Sequence, residues 1–288
     1  MRDAAANSTR ILTIDTSTKP AVVNGEIIIF DRNDVFLNAL MTSGINDSYV
    51  NELVNADKTI NLDAEGVARS SRGGFWIAHE GRGEVGNPDR PIESLNMLVK
   101  VDQAAVVEKV VFLPDEANAL QDRRGFEGVT EDGDMVFVVT QRSWQDEEYP
   151  RVWLYNTTSE VWTYRFYPVD APESFDGGWV GLADTTHIGG GEFLVLERDS
   201  KKNNEAAVKR IYKTKIDNYG TSRNGTVLTK EFVIDVLPLF AQADDGKVVE
   251  NIEGMGIDGF GNLWVINDDG GGDHPTIMLN VIQGYLSD

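Results

Sequence analysis

The chain has 288 residues and a mass of 31.8 kDa, and its 47 acidic and 26 basic side chains give a formal net charge of −21. This acidity argues against a nucleic-acid-binding protein, because such a protein needs a basic face. The chain has no cysteine, which excludes disulfides, thiolate zinc sites and cysteine nucleophiles, so any bound metal would have oxygen ligands.

The first 60 residues contain two predicted strands, ILTID and AVVNGEIIIFD, and an apolar stretch from Val35 to Met41 that is either strand or turn. The start, MRDAAANSTR, lacks the apolar core of an export signal, so the chain as given either stays inside the cell or is a mature or trimmed product. No run approaches the roughly 18 apolar residues of a membrane span, and we expect no membrane partner.

Four later stretches repeat one pattern, a Glu-Gly step followed by a turn and a short strand with a polar end. They are LDAEGVARSSRGGFWIAHE at 62–80, GFEGVTEDGDMVFVVTQ at 125–141, GWVGLADTTHIGGGEFLVLER at 178–198 and NIEGMGIDGFGNLWVINDD at 251–269. In the stretch at 178–198, Gly181 aligns with the other glycines and Val180 stands in place of the glutamate. Further strand-like runs follow each copy, for example NMLVKVD and VEKVVFLP after the first. Each repeat therefore predicts two inner and two outer strands.

Repeated four-stranded units are typical of a β-propeller, whose blades surround a central channel. We predict an all-β propeller of about five blades, with four repeats over 61–288. Residues 1–60 supply a further blade or the strand that closes the ring, and a shortened or incomplete ring is an alternative. A β-sandwich has no reason to repeat the Glu-Gly step. Because no internal linker is evident, we predict a single domain over 1–288.

The glutamates of the Glu-Gly steps, Glu65, Glu127 and Glu253, are predicted to recur at one depth around the channel. Neighbouring carboxylates resist joint ionisation unless a cation lies between them, and several oxygen ligands favour Ca²⁺. The functional interpretation is a calcium site in or at the mouth of the channel. The structural alternative is that each glutamate accepts backbone N–H bonds from the next blade and ties the blades together.

A second recurring position ends the second strand of each copy and is predicted to emerge on one rim. Its members are Glu80, Gln141, Glu197 and Asp268. Arg82, Arg142 and Arg198 follow three of them closely, and Asp269 follows the fourth. Arginine forks are suited to phosphate, and carboxylates with Ca²⁺ can polarise a phosphoryl group and activate water. The alternative is a set of exposed salt bridges of little energetic value.

Two further features of this rim have both a functional and a structural interpretation. His79 immediately precedes Glu80, where an imidazole can act as general acid or base, although a buried, hydrogen-bonded histidine is the commoner outcome. The loop that begins at Asp268 and Asp269 can chelate calcium or form a plain glycine turn. It lacks the spacing of an EF-hand.

The segments LDAEGVA, RRGFEGVT, GLAD, GEFLVLERD, IEGMGID and GNLWVINDD together resemble the phytase-like propellers described as having esterase-like activity of phytase. The resemblance covers roughly residues 60–270. It implies a propeller in an exported, secreted or periplasmic protein, with calcium-dependent phosphoester hydrolysis. Family members usually begin with another glycine-rich blade before the first Glu-Gly step, and this chain has only some 60 residues there.

The leading hypothesis is therefore a calcium-binding propeller that hydrolyses a phosphomonoester or related ester of a small anionic substrate. The carboxylates Glu65, Glu127, Glu253, Asp268 and Asp269 would hold the metal, Arg82, Arg142 and Arg198 would bind substrate oxyanions, and Glu80, Glu197 and His79 would act in catalysis. One rival is a non-catalytic extracellular binding or scaffold propeller. Another is a Ca²⁺-dependent lactonase-type hydrolase.

Overall fold

The computed structural model describes residues 8–175, 177–217, 219, 224–268 and 275–286. The chain forms two compact units, residues 1–123 and residues 124–288. The single domain that the sequence predicts over 1–288 stays a prediction.

The first unit contains a two-stranded sheet, a four-stranded sheet and three helices. In chain order its elements are β1 (Arg10–Asp15), β2 (Val22–Ile28), α1 (Val35–Thr42), α2 (Asp47–Leu53), β3 (Ala64–Arg69), β4 (Phe75–His79), β5 (Met97–Val101), β6 (Val107–Phe112) and α3 (Asp115–Asn118). Strands β1 and β2 pair with each other, and β3 to β6 form an antiparallel sheet in chain order.

The apolar stretch from Val35 to Met41 is a helix, not the strand or turn that the sequence predicts. The buried Asp31 carboxylate accepts the backbone N–H groups of Phe36 and Leu37, each at 2.9 Å, and so satisfies donors that the first helical turn leaves free. Phe36 and Leu40 are four positions apart, lie on one face and are fully buried in the core of this unit. Capping and burial of one face together favour the helix.

The second unit contains three antiparallel sheets. In chain order its elements are β7 (Phe126–Asp132), β8 (Met135–Thr140), β9 (Arg151–Asn156), β10 (Val161–Phe166), β11 (Val180–Gly189), β12 (Glu192–Asp199), β13 (Lys209–Lys215), β14 (Thr226–Val227), β15 (Lys230–Asp235), α4 (Leu237–Ala243), β16 (Ile252–Ile257), β17 (Leu263–Asn267) and β18 (Met278–Ile282). The strand orders are β7-β8-β9-β10-β14, β11-β12-β13-β15 and β16-β17-β18, and only β14 pairs in parallel.

The sheets that begin with β3, β7, β11 and β16 are the blades of a β-propeller, the fold class that the sequence predicts. Blades one, three and four are antiparallel meanders, and blade two is an antiparallel meander of β7 to β10 to which β14 adds in parallel. In the described part of the chain the blades number four, where the sequence predicts about five, because the N-terminal strands form a two-stranded sheet of their own. We number the blades one to four in chain order.

In the second unit, successive blades pack through apolar faces. Phe137 of blade two and Phe193 of blade three are both buried, with ring centroids 4.3 Å apart. Leu196 of blade three and Val265 of blade four belong to the next apolar cluster. Among the described helices, none combines the length and the apolar character that crossing a bilayer requires.

Gly128 on β7 marks a point of close approach between blades two and three. A Cβ atom there would lie 2.1 Å from Asp184 Oδ1 and 2.5 Å from the backbone nitrogen of Thr185. We expect Gly128→Ala to lower the free energy of unfolding by about 1–3 kcal/mol or more, because backbone must move to admit the methyl group. Denaturant unfolding measures the change.

The matched control is Gly259→Ala, since a Cβ atom at Gly259 meets nothing within 4 Å. Its stability should stay within about 0.5 kcal/mol of the unsubstituted protein. Equal stabilities for the two variants would contradict the close packing of the blades at Gly128.

Candidate functional site

The first strand of every blade carries one extra residue relative to its hairpin partner, at the Glu-Gly step or its equivalent. Glu65 in blade one lies between the pairs Ala64↔His79 and Gly66↔Ala78. Glu253 in blade four lies between corresponding pairs, and the register of blade two shifts across Glu127 and Gly128. Such β-bulges re-aim side chains where they interrupt a ladder.

Blade three follows the same geometry, but its alignment by Gly181 is wrong. Leu182 pairs with Glu197 and Asp184 pairs with Leu196, so Ala183 is the bulged residue. Ala183 therefore stands where the other blades have glutamate, and Asp184 stands where they have glycine. Asp184 is a residue that the sequence analysis does not select, and the hairpin register is what identifies it.

The same register corrects the position at the end of the second strand. Glu80, Gln141 and Asp268 each follow the residue that pairs with the start of the bulge, and the residue equivalent to them in blade three is Arg198, not Glu197. A shift of one residue in a strand moves a side chain to the opposite face. The strand-end set therefore contains a cation in blade three.

Glu197 lies in a buried cluster of hydrogen bonds and ion pairs. Its carboxylate is 0 % exposed and accepts the Asp170 N–H at 2.8 Å and a hydrogen bond from Lys230 Nζ at 2.5 Å. Asp170 also accepts from Lys230 Nζ at 2.7 Å and from the Tyr212 hydroxyl at 2.5 Å. Burial raises the pKa of Glu197, and the contact with Lys230 opposes this rise. The cluster ties the outer strands of blade three together, and the catalytic role of Glu197 stays a prediction.

Blade one brings three carboxylates together. Asp63, Glu65 and Glu80 each offer an oxygen atom, and these oxygens all lie within 4.8 Å of one another. All three residues are partly exposed. Asp63 and Glu80 are joined through the backbone, because the Glu80 N–H donates to the Asp63 carbonyl at 2.9 Å. At this separation two unit charges repel by about 3.5 kcal/mol for an effective dielectric constant of 20, so the cluster is a candidate cation site.

His79 and Arg82 flank this acidic cluster. His79 is buried, and its Nδ1 accepts the backbone N–H of Asp63 at 2.9 Å, which fixes the chain next to one carboxylate. The Arg82 guanidinium makes an ion pair of 2.7 Å with Glu93. His79 therefore positions the Asp63 backbone. The role of His79 as general acid or base stays a prediction.

The equivalent glutamates of blades two and four contact polar or cationic side chains. Gln141 Nε2 donates to Glu127 within blade two. Arg198 Nη2 donates to Glu253 Oε1 at 2.5 Å, which links blade three to blade four. The metal-binding role of Glu127 and Glu253 stays a prediction, as does that of Asp268, whose N–H donates to the Asn251 carbonyl at 2.8 Å. Asp269 lies outside the described residues.

Three equivalent positions explain why the acidic cluster lies in blade one. They are the position two residues before the bulge, the bulge itself and the strand end. They are occupied by Asp63, Glu65 and Glu80 in blade one, by Gly125, Glu127 and Gln141 in blade two, by Gly181, Ala183 and Arg198 in blade three, and by Asn251, Glu253 and Asp268 in blade four. Of these four sets, only the first has a carboxylate at every position.

Asp184 joins the inner strands of the second unit. Its Oδ2 accepts the Met255 N–H of blade four at 2.6 Å, and Gly128 of blade two leaves the space beside its Oδ1. Burial raises the pKa of Asp184 to about 7, although the N–H groups of Met255 and Thr185 act in the opposite direction. The blade-to-blade contact that the sequence assigns, as an alternative, to the glutamates is made here by an aspartate.

The remaining predicted substrate-binding residues lie around one indole ring. The guanidinium carbons of Arg142 and Arg198 are 5.1 and 5.4 Å from the ring centroid of Trp179. Arg142 is exposed and Arg198 is buried. The structure therefore brings these two arginines together, and it places Arg82 in the other unit.

Comparison with known proteins identifies the family. The family described as "Phytase-like: Esterase-like activity of phytase" matches residues 1–271, and the chain belongs to it. No curated protein matches. Among solved structures, the chain is similar to a protein of unknown function from Bacteroides caccae. That similarity has 12% sequence identity and a TM-score of 0.35 over 80% of this chain and 87% of the other.

Asp184 should make stability depend on pH. The pKa of Asp184 is about 7 in the folded state, above the ordinary value of 3.8. Between pH 3.8 and pH 7, therefore, the folded state keeps a proton that the unfolded state has lost. Its contribution to stability therefore falls as the pH rises from about 4 to about 7, by at most about 1.4 kcal/mol per pH unit. Asp184→Asn should remove this dependence, so the variant should gain stability relative to the unsubstituted protein across that range.

Denaturant unfolding of both proteins at intervals from pH 5 to pH 8 measures this difference. A stability difference that is independent of pH would contradict a raised pKa at Asp184.

Proposed function

We propose that the protein is a calcium-dependent hydrolase of small phosphomonoesters, with its cation at Asp63, Glu65 and Glu80. The observation that carries the proposal is the convergence of these three carboxylates at one blade's bulge and strand end in a member of the phytase-like family. An exported location and a small anionic substrate belong to the same proposal.

The residues of this cluster fit a hard divalent cation. Carboxylate oxygens are the ligands that Ca²⁺ takes, and partial exposure leaves room for further oxygen ligands from water or substrate. The grouping of three carboxylates within 4.8 Å also supplies a reason for binding, since a cation among them offsets the repulsion between ionised carboxylates. A bound cation would supply Lewis-acid polarisation of a phosphoryl oxygen.

The other predicted residues contribute positioning and charge. His79 holds the Asp63 backbone, and therefore sets where one carboxylate lies relative to the other two. Arg142 presents an exposed guanidinium next to Trp179, where it is suited to a substrate oxyanion. Glu80 belongs to the cation cluster, and in this proposal it acts there as a ligand.

Calcium should stabilise the protein through this cluster. After exhaustive chelation, millimolar Ca²⁺ should raise the thermal midpoint, because a ligand that binds only the folded state stabilises it by mass action. Glu65→Gln and Glu80→Gln should each abolish most of the rise, since each removes a charged ligand. The matched control is Glu116→Gln, an exposed position on α3 of the same unit, which should keep the full rise.

A calcium-induced rise that survives both cluster substitutions would place the cation elsewhere. Loss of the rise in Glu127→Gln and Glu253→Gln would then favour the ring of glutamates. No rise in the unsubstituted protein would contradict the calcium mechanism and favour a non-catalytic propeller.

Phosphomonoester turnover tests the proposed activity itself. We expect hydrolysis of p-nitrophenyl phosphate to require Ca²⁺ and to fall at least about tenfold in kcat/KM in Arg142→Ala, because charged hydrogen bonds contribute about 1.5–3 kcal/mol. Arg142 is exposed, so its removal should leave the thermal midpoint unchanged. Calcium-dependent turnover of a lactone, without turnover of phosphate esters, would instead favour the lactonase-type function.

A further inference from the structure

Three arginines of the second unit surround one indole ring. The guanidinium carbons of Arg124, Arg142 and Arg198 lie 4.9, 5.1 and 5.4 Å from the ring centroid of Trp179. These distances are within the range of cation–π contacts. Arg124 precedes β7, Arg142 follows β8 and Arg198 ends β12, so the side chains come from two neighbouring blades.

Arg198 is the buried member of the group and has donors to spare. The residue is 2 % exposed. Its Nη2 donates to Glu253 at 2.5 Å, and its Nη1 is 3.6 Å from Glu250 Oε1, too long for a hydrogen bond. Among the described residues, Nε and Nη1 have no hydrogen-bond acceptor. A buried guanidinium with unsatisfied N–H groups favours a bound acceptor, because leaving such donors unpaired is costly.

Three cationic side chains gather around one ring in an acidic protein. The arginines bring three positive charges to Trp179, while the whole chain carries −21. Glu250 and Glu253 approach Arg198 from the fourth blade's side of the group. Like charges repel one another, and an anion bound among the arginines would offset this repulsion.

Trp179 is fixed through its backbone, and close packing confines its ring. The backbone N–H of Trp179 donates to Ser200 Oγ at 3.2 Å, and the Trp179 carbonyl accepts the Ser200 N–H at 3.0 Å. A Cβ atom at Gly181 would lie 2.9 Å from Trp179 Cζ3, so only glycine leaves room for the ring. Arg124 is fixed next to it by the Trp144 indole N–H, which donates to its carbonyl at 3.4 Å.

We propose that Arg124, Arg142 and Arg198, arranged around Trp179, form a binding site for a tetrahedral oxyanion, either free phosphate or the phosphoryl or sulfuryl group of a larger molecule. Buried Arg198 forms the floor, and partly exposed Arg124 and exposed Arg142 form the open side. The site goes beyond the proposed function, because all of its residues belong to the second unit and it involves no metal ion. Anion binding is therefore measurable in a chelated protein.

Calorimetric titration of the intact, chelated protein with inorganic phosphate, and separately with sulfate, tests the site. We expect both dianions to bind and chloride not to compete at equal concentration. Arg124→Gln, Arg142→Gln and Arg198→Gln should each weaken phosphate about tenfold or more, because each removes charged hydrogen bonds. Trp179→Leu should weaken it as well, since the arginines then lose their common support, whereas Trp179→Phe should retain binding.

The charge-matched control is Lys213→Gln, which removes one positive charge from β13 of the same unit, where Lys213 contacts Glu192 and Glu231. It should bind phosphate as the unsubstituted protein does. Arg142→Gln keeps the test valid if substitution of buried Arg198 unfolds the protein. Absence of phosphate binding, or equal binding in Arg142→Gln and Lys213→Gln, would overturn the proposal.

The outcome is separable from that of the proposed hydrolase. Phosphate binding by the chelated protein without turnover of any ester would support the site and contradict the hydrolase. Calcium-dependent turnover with unchanged phosphate affinity in all three arginine variants would support the hydrolase and overturn the site.

Discussion

One extra residue in the first strand of each blade decides where the charged side chains of this protein lie. A strand presents alternate residues to opposite faces, so a residue inserted without a partner changes the direction of its neighbours. Glu65 and Glu253 are such residues. In each blade, the strand-end residue follows the partner of the residue just before the bulge. In blade one, both positions are acidic and meet next to Asp63. Backbone geometry repeats from blade to blade, and side-chain identity at a few repeated positions gives each blade its chemistry.

These positions differ most between blades one and three. Blade one has three carboxylates at these positions. Blade three has Gly181, Ala183 and Arg198 at the same places. Because alanine supplies no carboxylate, Arg198 reaches Glu253 of the next blade, and Gly181 makes room for Trp179. Equivalent positions of one blade fold therefore carry a group of carboxylates in blade one and contribute an arginine to a group of cations in blade three.

The sequence predicts the propeller and its repeats because Glu-Gly steps and alternating strands are local patterns. It misses helix α1, because a short apolar run is ambiguous by itself and the contact with Asp31 that caps the helix lies outside the run. It also selects Glu197 instead of Arg198, because an alignment by glycine places Gly181 three residues from the true equivalent, Asp184. Hairpin register is a property of paired strands, and spacing along one chain does not determine it. The arginines around Trp179 come from two different blades, so their spacing along the chain does not show that they meet.

Asp184 shows that joining blades and binding ligands are separate tasks in this fold. Asp184 stands where the other blades have glycine, and its carboxylate accepts the Met255 N–H of blade four. This is the kind of blade-to-blade contact that the sequence assigns, as an alternative, to the glutamates of the Glu-Gly steps. Burial raises the pKa of Asp184 to about 7, so this group lowers stability progressively as the pH rises from about 4 to about 7. One blade-to-blade contact is made by Asp184 and another by Arg198 with Glu253, whereas the three carboxylates of blade one group with one another, which is why we assign the proposed cation to them.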